Sequence, residues 1–465
     1  MTYRRRHLTP PHLLSSSRVT RVRHRGLWLW MWNGILVGIA LILLLFTLQS
    51  GQAATAKASR PFTAQIALST YQAFSPAYWR DFYTSHRLHY LARLRLISAE
   101  KSLALNNDPL STLVSMGVVL SREVLQTAFG PEQLCMLNVD LTSPNLRFGV
   151  VQAYNRLISP DETLTSMANR TGAVAGINGD YFEIHGSGVP IGEEVINGQL
   201  LHSPNPHFYT VLGVTSSGRL TIRAESFSGR VVDGGASHTL FSVNHYSEIY
   251  NGRLLLFTPV LGRPVYVGGD PVALLQPLAG SPGVFKVRSI RYRTWLSVLA
   301  GQEALLGSGN AGYWLANTLH IGDRISITEH LFPDAHPFQA VGGGSQLVKD
   351  GALYYDPNSP APLRVGRLYP LTAVGVTKDG NHALFVVFDG RRSGPVRSVG
   401  LTYAEAARFM LAHGAYNAML FDGGGSSEMV ARLPGQHAVS VINWPSGGYE
   451  RRVANGLFIL NTDDA

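Results

Sequence analysis

From about Leu110 onward the chain is written in short apolar runs, each closed by Gly, Asn, Asp or Pro. Examples are "LCMLNVDL", "RFGVVQAY", "GAVAGING", "RLTIRAE", "DRISITEHL", "TAVGVTKDGNHALFVVFDGR" and "RVANGLFIL". Runs this short, rich in Val, Ile and aromatics and punctuated by turn residues, form strands rather than helices. Two segments break the pattern with a helical period. "DETLTSMANRTG" offers Asp161 or Thr163 as its cap, and "LTYAEAARFMLAHGA" pairs Thr402 with Glu405 in a capping box and stops at Gly414. Residues 110–465 are therefore expected to form a sheet-rich α+β domain with a few packed helices.

What precedes that domain is of another kind. Arg4, Arg5, Arg6, Arg18, Arg21, Arg23 and Arg25 supply seven positive charges with no acid before Gly26, so of the net +9 only 9 − 7 = +2 belongs to the rest of the chain. The high isoelectric point thus describes a tail (residues 1–26) and not a nucleic-acid-binding surface; no nucleic-acid partner is expected. Residues 27–50 carry no charge and exceed the ~20 residues needed to cross a bilayer. Basic residues ahead of the run, with Trp28, Trp30 and Trp32 suited to the headgroup boundary, predict a single-pass signal-anchor, N-terminus cytoplasmic, main domain exported. Small residues in "SGQAATA" offer a cleavage site, but the run is longer than a usual signal h-region of ~7–15 residues, which favours a retained anchor. Residues 51–108, with interleaved aromatic and basic side chains, read as a juxtamembrane helical stalk. The lone Cys135 excludes an intramolecular disulfide and is expected to be a buried apolar thiol.

Several familiar signatures fail on inspection. "GSGNAG", residues 307–312, fits G-x-G-x-x-G but has no clear preceding strand, and Asp323 comes too soon for a ribose ligand. No Lys-Ser/Thr follows a glycine loop, Glu428 occupies the last place of a would-be nucleophile elbow around Ser426, and no His/Cys spacing suits zinc. Clustered Asp and Gly loops are compatible with Ca²⁺ or Mg²⁺, but no ligand spacing is diagnostic, so no cofactor is expected and a metal is left open. What remains is five polar loops, each following an apolar run: "GINGDYFEIHG" (176–186), "VGGGSQLVKDG" (341–351), "FDGRRSG" (388–394), "FDGGGSSE" (421–428) and "INWPSGGYERRVANG" (442–456). Strand ends converging on one rim are how a rigid sheet gathers reactive groups.

The order and wording of "AGINGDYF", "GVPIGEEVINGQ", "VGGGSQLVKDG", "GLTYAEAARFMLAHGAYNAMLFDGGGSSEMV" and "VINWPSGGYERRVANGLFIL" closely resemble the phosphodiester glycosidase family, including its exported bacterial members, over about residues 130–460. The resemblance implies a hydrolase that cleaves a sugar-1-phosphodiester, such as a GlcNAc-1-phosphodiester, in exopolysaccharide or cell-wall glycopolymer metabolism. It implies Asp422 as catalytic carboxylate with Asp180 or Asp389 as partner, and an anion nest from the N–H groups of Gly423, Gly424, Gly425, Ser426 and Ser427. Arg391 and Arg452 would bind phosphate or sugar hydroxyls, and Asn178, Asn443 and Asn455 would read substrate amides and hydroxyls. Three positions depart from the family pattern: Leu371 stands in an Arg place, Glu428 in a Thr place and Asp180 in a Gly place. Arg367 or Arg392 would have to replace the missing cation. Two rival readings follow from these departures, a non-catalytic glycan-binding envelope module and a hydrolase of another phosphorylated or acidic glycan.

Overall fold

The computed structural model describes residues 111–462 apart from 205–209, 250, 294, 334–336, 355–366 and 394–396. The basic tail, the expected membrane span and the expected stalk all lie outside the described residues. Among those that are described, no helix is long and apolar enough to cross a membrane.

The described chain is mostly strand, with three α-helices, α1 (Leu164–Thr171), α2 (Gly309–Thr318) and α3 (Tyr403–Ala412). Its first sheet has eight antiparallel strands. At its middle Gly130–Asp140, His382–Phe388, Leu371–Val376 and Asn417–Leu420 lie side by side. The period-2 alternation of these strands decides what each face meets. Cys135, Leu137, Val139, Phe385, Val387 and Met419 point one way, into a core shared with Phe148, Val150, Ile177, Leu457 and Ile459 of a second, five-stranded sheet. Leu134, Met136, Leu384, Val386, Phe388 and Leu420 point the other way, onto Ala406, Ala407, Phe409 and Met410 of α3. The second sheet is backed in turn by Leu164, Met167 and Ala168 of α1. The order of layers is helix, sheet, sheet, helix. A third sheet of five strands, among them Thr210–Val214 and Gln339–Gly342, closes the side of the shared core through Leu212, Val214 and Val341.

Residues 226–332 build a separate eight-stranded sheet inserted between the third-sheet strands Leu220–Ala224 and Gln339–Gly342. Its long strands, Ser226–Asp233, Val284–Tyr292 and Arg324–Phe332, bury Val231, Leu256, Leu275, Val287 and Ile327 with α2 against one face. A second apolar cluster, with Phe257, Val272 and Leu306, fills the other.

Both expected helices form where their caps predict. The Thr163 hydroxyl accepts from Ser166 N at the start of α1, and Thr402 and Glu405 close a capping box at α3. Helix α2 was not expected, because it runs through "GSGNAG". The glycines there serve contact between backbones: a Cβ on Gly307 would lie 2.8 Å from Gly312 Cα, and one on Gly312 would lie 2.6 Å from Gly307 O. The pattern packs a helix onto the strand Glu303–Gly307. Cys135 is buried, and that burial pushes its thiol up to about 12.

Candidate active site

The five polar loops are bonded to one another at one end of the first two sheets. Asp422 N donates to Gly179 O (3.0 Å), Gly344 N to Leu420 O (2.7 Å), Gly343 N to Thr210 O (3.0 Å) and Gly424 N to Pro370 O (2.9 Å). The three glycines of "VGGGSQ" let these loops close up. A Cβ on Gly342 would meet Asp180 Oδ2 at 2.9 Å, one on Gly343 would meet Leu420 O at 2.6 Å, and one on Gly344 would meet the Tyr181 ring at 3.0 Å.

Each glycine of "DGGG" answers a different demand. Gly423 leaves room for Pro370 O, 3.0 Å from where its Cβ would stand; Gly424 has φ +66; and a Cβ on Gly425 would overlap the Arg451 guanidinium. Arg391, itself at φ +56 and exposed, brings Nη1 to 3.6 Å from the Cβ position of Gly424 and stands 5.5 Å from the Tyr369 ring centroid. Two cations therefore flank the turn, Arg391 on one glycine and Arg451 on the next.

Asp422 is half-buried between them. Burial raises its pKa to about 6 against the pull of the Ser426 hydroxyl, the Gly423 N–H and the Arg451 charge. The Gly423 N–H donates to Oδ1 at 2.8 Å and fixes the carboxylate. Tyr181, whose phenol burial holds well above its ordinary range, stands near both Asp422 and Asp180.

Several expectations are corrected. Arg452 does not join the site: its Nη1 donates to Tyr154 Oη (2.9 Å) and Asp161 O (3.2 Å), and its strand pairs it with Thr163. Side chains alternate along a strand, so Arg451, in phase with buried Val453 and Asn455, is the one that reaches the glycine turn. That parity was readable in the sequence.

The expected anion nest is largely consumed by the turn itself. The N–H of Gly423 goes to Asp422 Oδ1, that of Gly424 to Pro370 O, that of Ser426 to Gly423 O and that of Ser427 to Gly424 O. Of the five expected donors, only the Gly425 N–H is outside this set. Ser426 and Ser427 are 0 % and 1 % exposed, so their hydroxyls are closed to a ligand.

The three asparagines pin loops. Asn178 (1 % exposed) donates to Asp422 O (2.8 Å) and accepts from Thr372 Oγ1 (2.7 Å) and Glu428 N (3.1 Å). Asn455 (0 % exposed) accepts from Asp180 N (2.9 Å) and donates to Glu194 Oε1 (2.9 Å). Asn443 accepts from Met429 N (2.9 Å) and donates to Asp389 Oδ1 and Ser427 O, both at 3.1 Å.

The two partner carboxylates are likewise internal. Asp180 accepts from Tyr181 N (2.7 Å) and Gly192 N (2.5 Å), and its pKa is raised well above the ordinary value by burial, with Glu194 and Asp422 adding to it. Asp389 accepts from Asn443 Nδ2 and from Trp444 N at 3.0 Å; burial raises its pKa too. Neither presents a free oxygen beside Asp422 comparable to a catalytic pair, and Glu428 is enclosed as well, at 2 % exposure. Leu371 is buried under α3, so no cation occupies that place. Arg367 and Arg392 lie over Tyr369 and Trp444, 5.9 and 3.9 Å from the ring centroids. Among the described residues no group of three or more His, Cys, Asp or Glu side chains is arranged to hold a metal ion.

Comparison with known proteins bears on this geometry. Residues 298–460 match the model of the phosphodiester glycosidase family. That stretch is shorter than the motif wording suggests: it holds Asp389, Arg391, the Asp422 turn and Arg451 but not Asn178 or Asp180. An uncharacterised SPβ prophage-derived protein of Bacillus subtilis, YomE, is 38 % identical over 96 residues, which span 21 % of this chain and 13 % of that one. In fold, the chain is similar to a hypothetical protein from Synechocystis (TM-score 0.62, 17 % identity, 75 % of this chain and 63 % of the other). It is also similar to a protein from Burkholderia pseudomallei K96243 (TM-score 0.56, 21 % identity, 71 % and 74 %). Through residues 298–460, which carry the glycine turn and both flanking arginines, the chain belongs to the phosphodiester glycosidase family.

Proposed function

We propose that this protein hydrolyses the bond between a sugar's anomeric carbon and a phosphodiester oxygen, releasing free sugar and a phosphomonoester. The observation that carries the reading is the half-buried Asp422, with a pKa raised to about 6, held on a glycine turn between Arg391 and Arg451. Near neutral pH Asp422 is mostly ionised and faces the positive charge that develops at the anomeric carbon as the C–O bond breaks, while water supplies the new oxygen. The bond's electron pair leaves with the phosphate, where two guanidinium groups can receive it by charge-assisted hydrogen bonds. A phosphate oxygen is a weak base, so its departure needs no raised-pKa acid of the kind a sugar–sugar bond requires. That suits a site whose other carboxyls, Asp180, Asp389 and Glu428, are enclosed.

The proposal extends to location. The charge-free residues 27–50 behind seven arginines support a membrane-anchored enzyme with its glycosidase domain outside the cytoplasm, acting on an exopolysaccharide or a cell-wall glycopolymer. Protease treatment of intact cells expressing the full chain is expected to degrade the domain; protection of the domain would remove this extension.

The activity is tested by incubating the full chain and its Asp422→Asn variant with a panel of GlcNAc-1-phosphodiesters. Sugar release by the wild type and not by the variant is expected. Binding without turnover by both would replace the enzyme with a glycan-binding module.

A further inference from the structure

Glu428 is the second carboxylate of the turn, and the chemistry above does not use it. At 2 % exposure it cannot touch a substrate. Its backbone is clamped to Asn178 from both sides, N to Oδ1 at 3.1 Å and O from Asn178 N at 3.3 Å. Its carboxyl faces the segment that carries Arg451, meeting the Glu450 carboxylate and the Arg451 backbone N–H. Glu450 is fixed from its other side, accepting Thr165 N at 2.7 Å and Thr165 Oγ1 at 2.6 Å in the first turn of α1. The next residue, Arg451, lays its guanidinium over Gly425. Two carboxyls thus join the glycine turn, the segment 450–452 and the start of α1.

Two carboxylates that face each other away from water repel if both are ionised, and one shared proton converts that repulsion into a hydrogen bond. Glu450 is the half-buried member and already accepts two donors, so it carries the charge. Glu428, enclosed, keeps the proton. We infer that Glu428 is a positioning residue whose protonated carboxyl donates to Glu450 and so holds Arg451 against the triple-glycine turn beside Asp422. This inference rests on Arg451 being a phosphate-binding cation of the proposed reaction. Burial first, and Glu450 second, raise the Glu428 pKa to about 9, so the tether is intact at neutral pH and fails as pH rises through that value.

Glutamine keeps an N–H donor at this place and cannot ionise, whereas alanine removes the donor. The experiment uses the full chain as wild type, Glu428→Gln and Glu428→Ala, with inorganic phosphate binding measured by calorimetry and sugar release measured across pH. Between about pH 8 and about pH 10 wild-type phosphate affinity is expected to fall roughly tenfold, one pH unit beyond the pKa converting most of the acid. Glu428→Gln is expected to hold its affinity over that range, and Glu428→Ala to bind weakly throughout. An alkaline loss in Glu428→Gln equal to that of the wild type, or wild-type affinity in Glu428→Ala, overturns the tether. If Glu428→Ala does not fold, the comparison of wild type with Glu428→Gln decides. The expected phosphate pattern without hydrolysis by any form would sink the glycosidase reading and leave the tether standing; hydrolysis with identical pH profiles in wild type and Glu428→Gln would do the reverse.

Discussion

The loop end of the first two sheets and the inserted sheet of residues 226–332 are built by opposite rules. The inserted sheet has strands of eight and nine residues, Ser226–Asp233, Val284–Tyr292 and Arg324–Phe332, with aliphatic side chains on both faces. At the loop end the strands are short, Ala175–Asn178 and Asn417–Leu420 having four residues each, and Asn178, Asp180, Glu194, Asn455, Ser426 and Glu428 are all buried at 0–2 % exposure. Apolar burial stabilises without condition. A buried polar group helps only when its partners are in place, and costs about 1–3 kcal/mol when one is removed. The loop end accepts that risk because hydrogen bonds aim loops with a precision that apolar packing does not. Its asparagines hold Asp422 where two arginines meet it.

If the two regions are what this contrast makes them, mutations should separate stability from chemistry. The largest stability loss is expected in the inserted sheet: Phe257→Ala, at a fully buried position, should cost about 3–5 kcal/mol in a denaturant melt, with kcat/KM unchanged for the folded fraction. Asp422→Asn should do the opposite, lowering kcat/KM by roughly 10²–10⁴-fold. The sign of its stability effect follows from linkage. Asp422 titrates at about 6 in the fold against 3.8 ordinarily, so the wild type loses stability as pH rises from 3.8 to about 6, and the asparagine variant does not. Above that pH the variant should melt no earlier than the wild type; an earlier melt would mean that the carboxylate is structural.

Smaller effects sharpen the assignment of the arginines. Arg451→Ala should lower kcat/KM by roughly 10- to 150-fold, the worth of one charge-assisted hydrogen bond of about 1.5–3 kcal/mol. Asn178→Ala should cost about 1–3 kcal/mol of stability and lose activity with it, since Asp422 O, Thr372 and Glu428 N would all lose a partner. Arg452→Ala, which gives up contacts only to Tyr154 and Asp161 at an exposed position, should change stability by under ~1 kcal/mol and activity hardly at all. A large activity loss in Arg452→Ala would exchange the roles assigned to the two neighbours.

Features that depend on local chemistry were legible in the sequence. The caps at Thr163 and Thr402 mark their helices, the alternating runs mark the sheets, and "FDGGGSSE" falls at a strand end where its glycines indicate close approach. Helix α2 was hidden because glycine lowers helix propensity, and what permits it is backbone contact between Gly307 and Gly312 that no local pattern encodes. The asparagines were misread for a related reason: an amide suited to bind a substrate is equally suited to bind a neighbouring loop, and only the fold says which it meets. The choice between Arg451 and Arg452 was available from strand parity. Glu194 and Glu450 stood in motifs without any sign that they would become the partners of Asn455 and Glu428.

The central claim is that Asp422, flanked by Arg391 and Arg451, is the carboxylate that must be ionised for reaction, and the pH dependence of kcat/KM tests it most directly. The acid limb of the wild type should rise with a midpoint near the about 6 of Asp422, because activity appears as that carboxyl loses its proton. In Arg451→Ala, which removes a charge that lowers this pKa, the limb should move to higher pH, while in Arg452→Ala it should stay in place. A limb that remains near the ordinary carboxylate value of ~4, or one that moves as far in Arg452→Ala as in Arg451→Ala, would contradict the account.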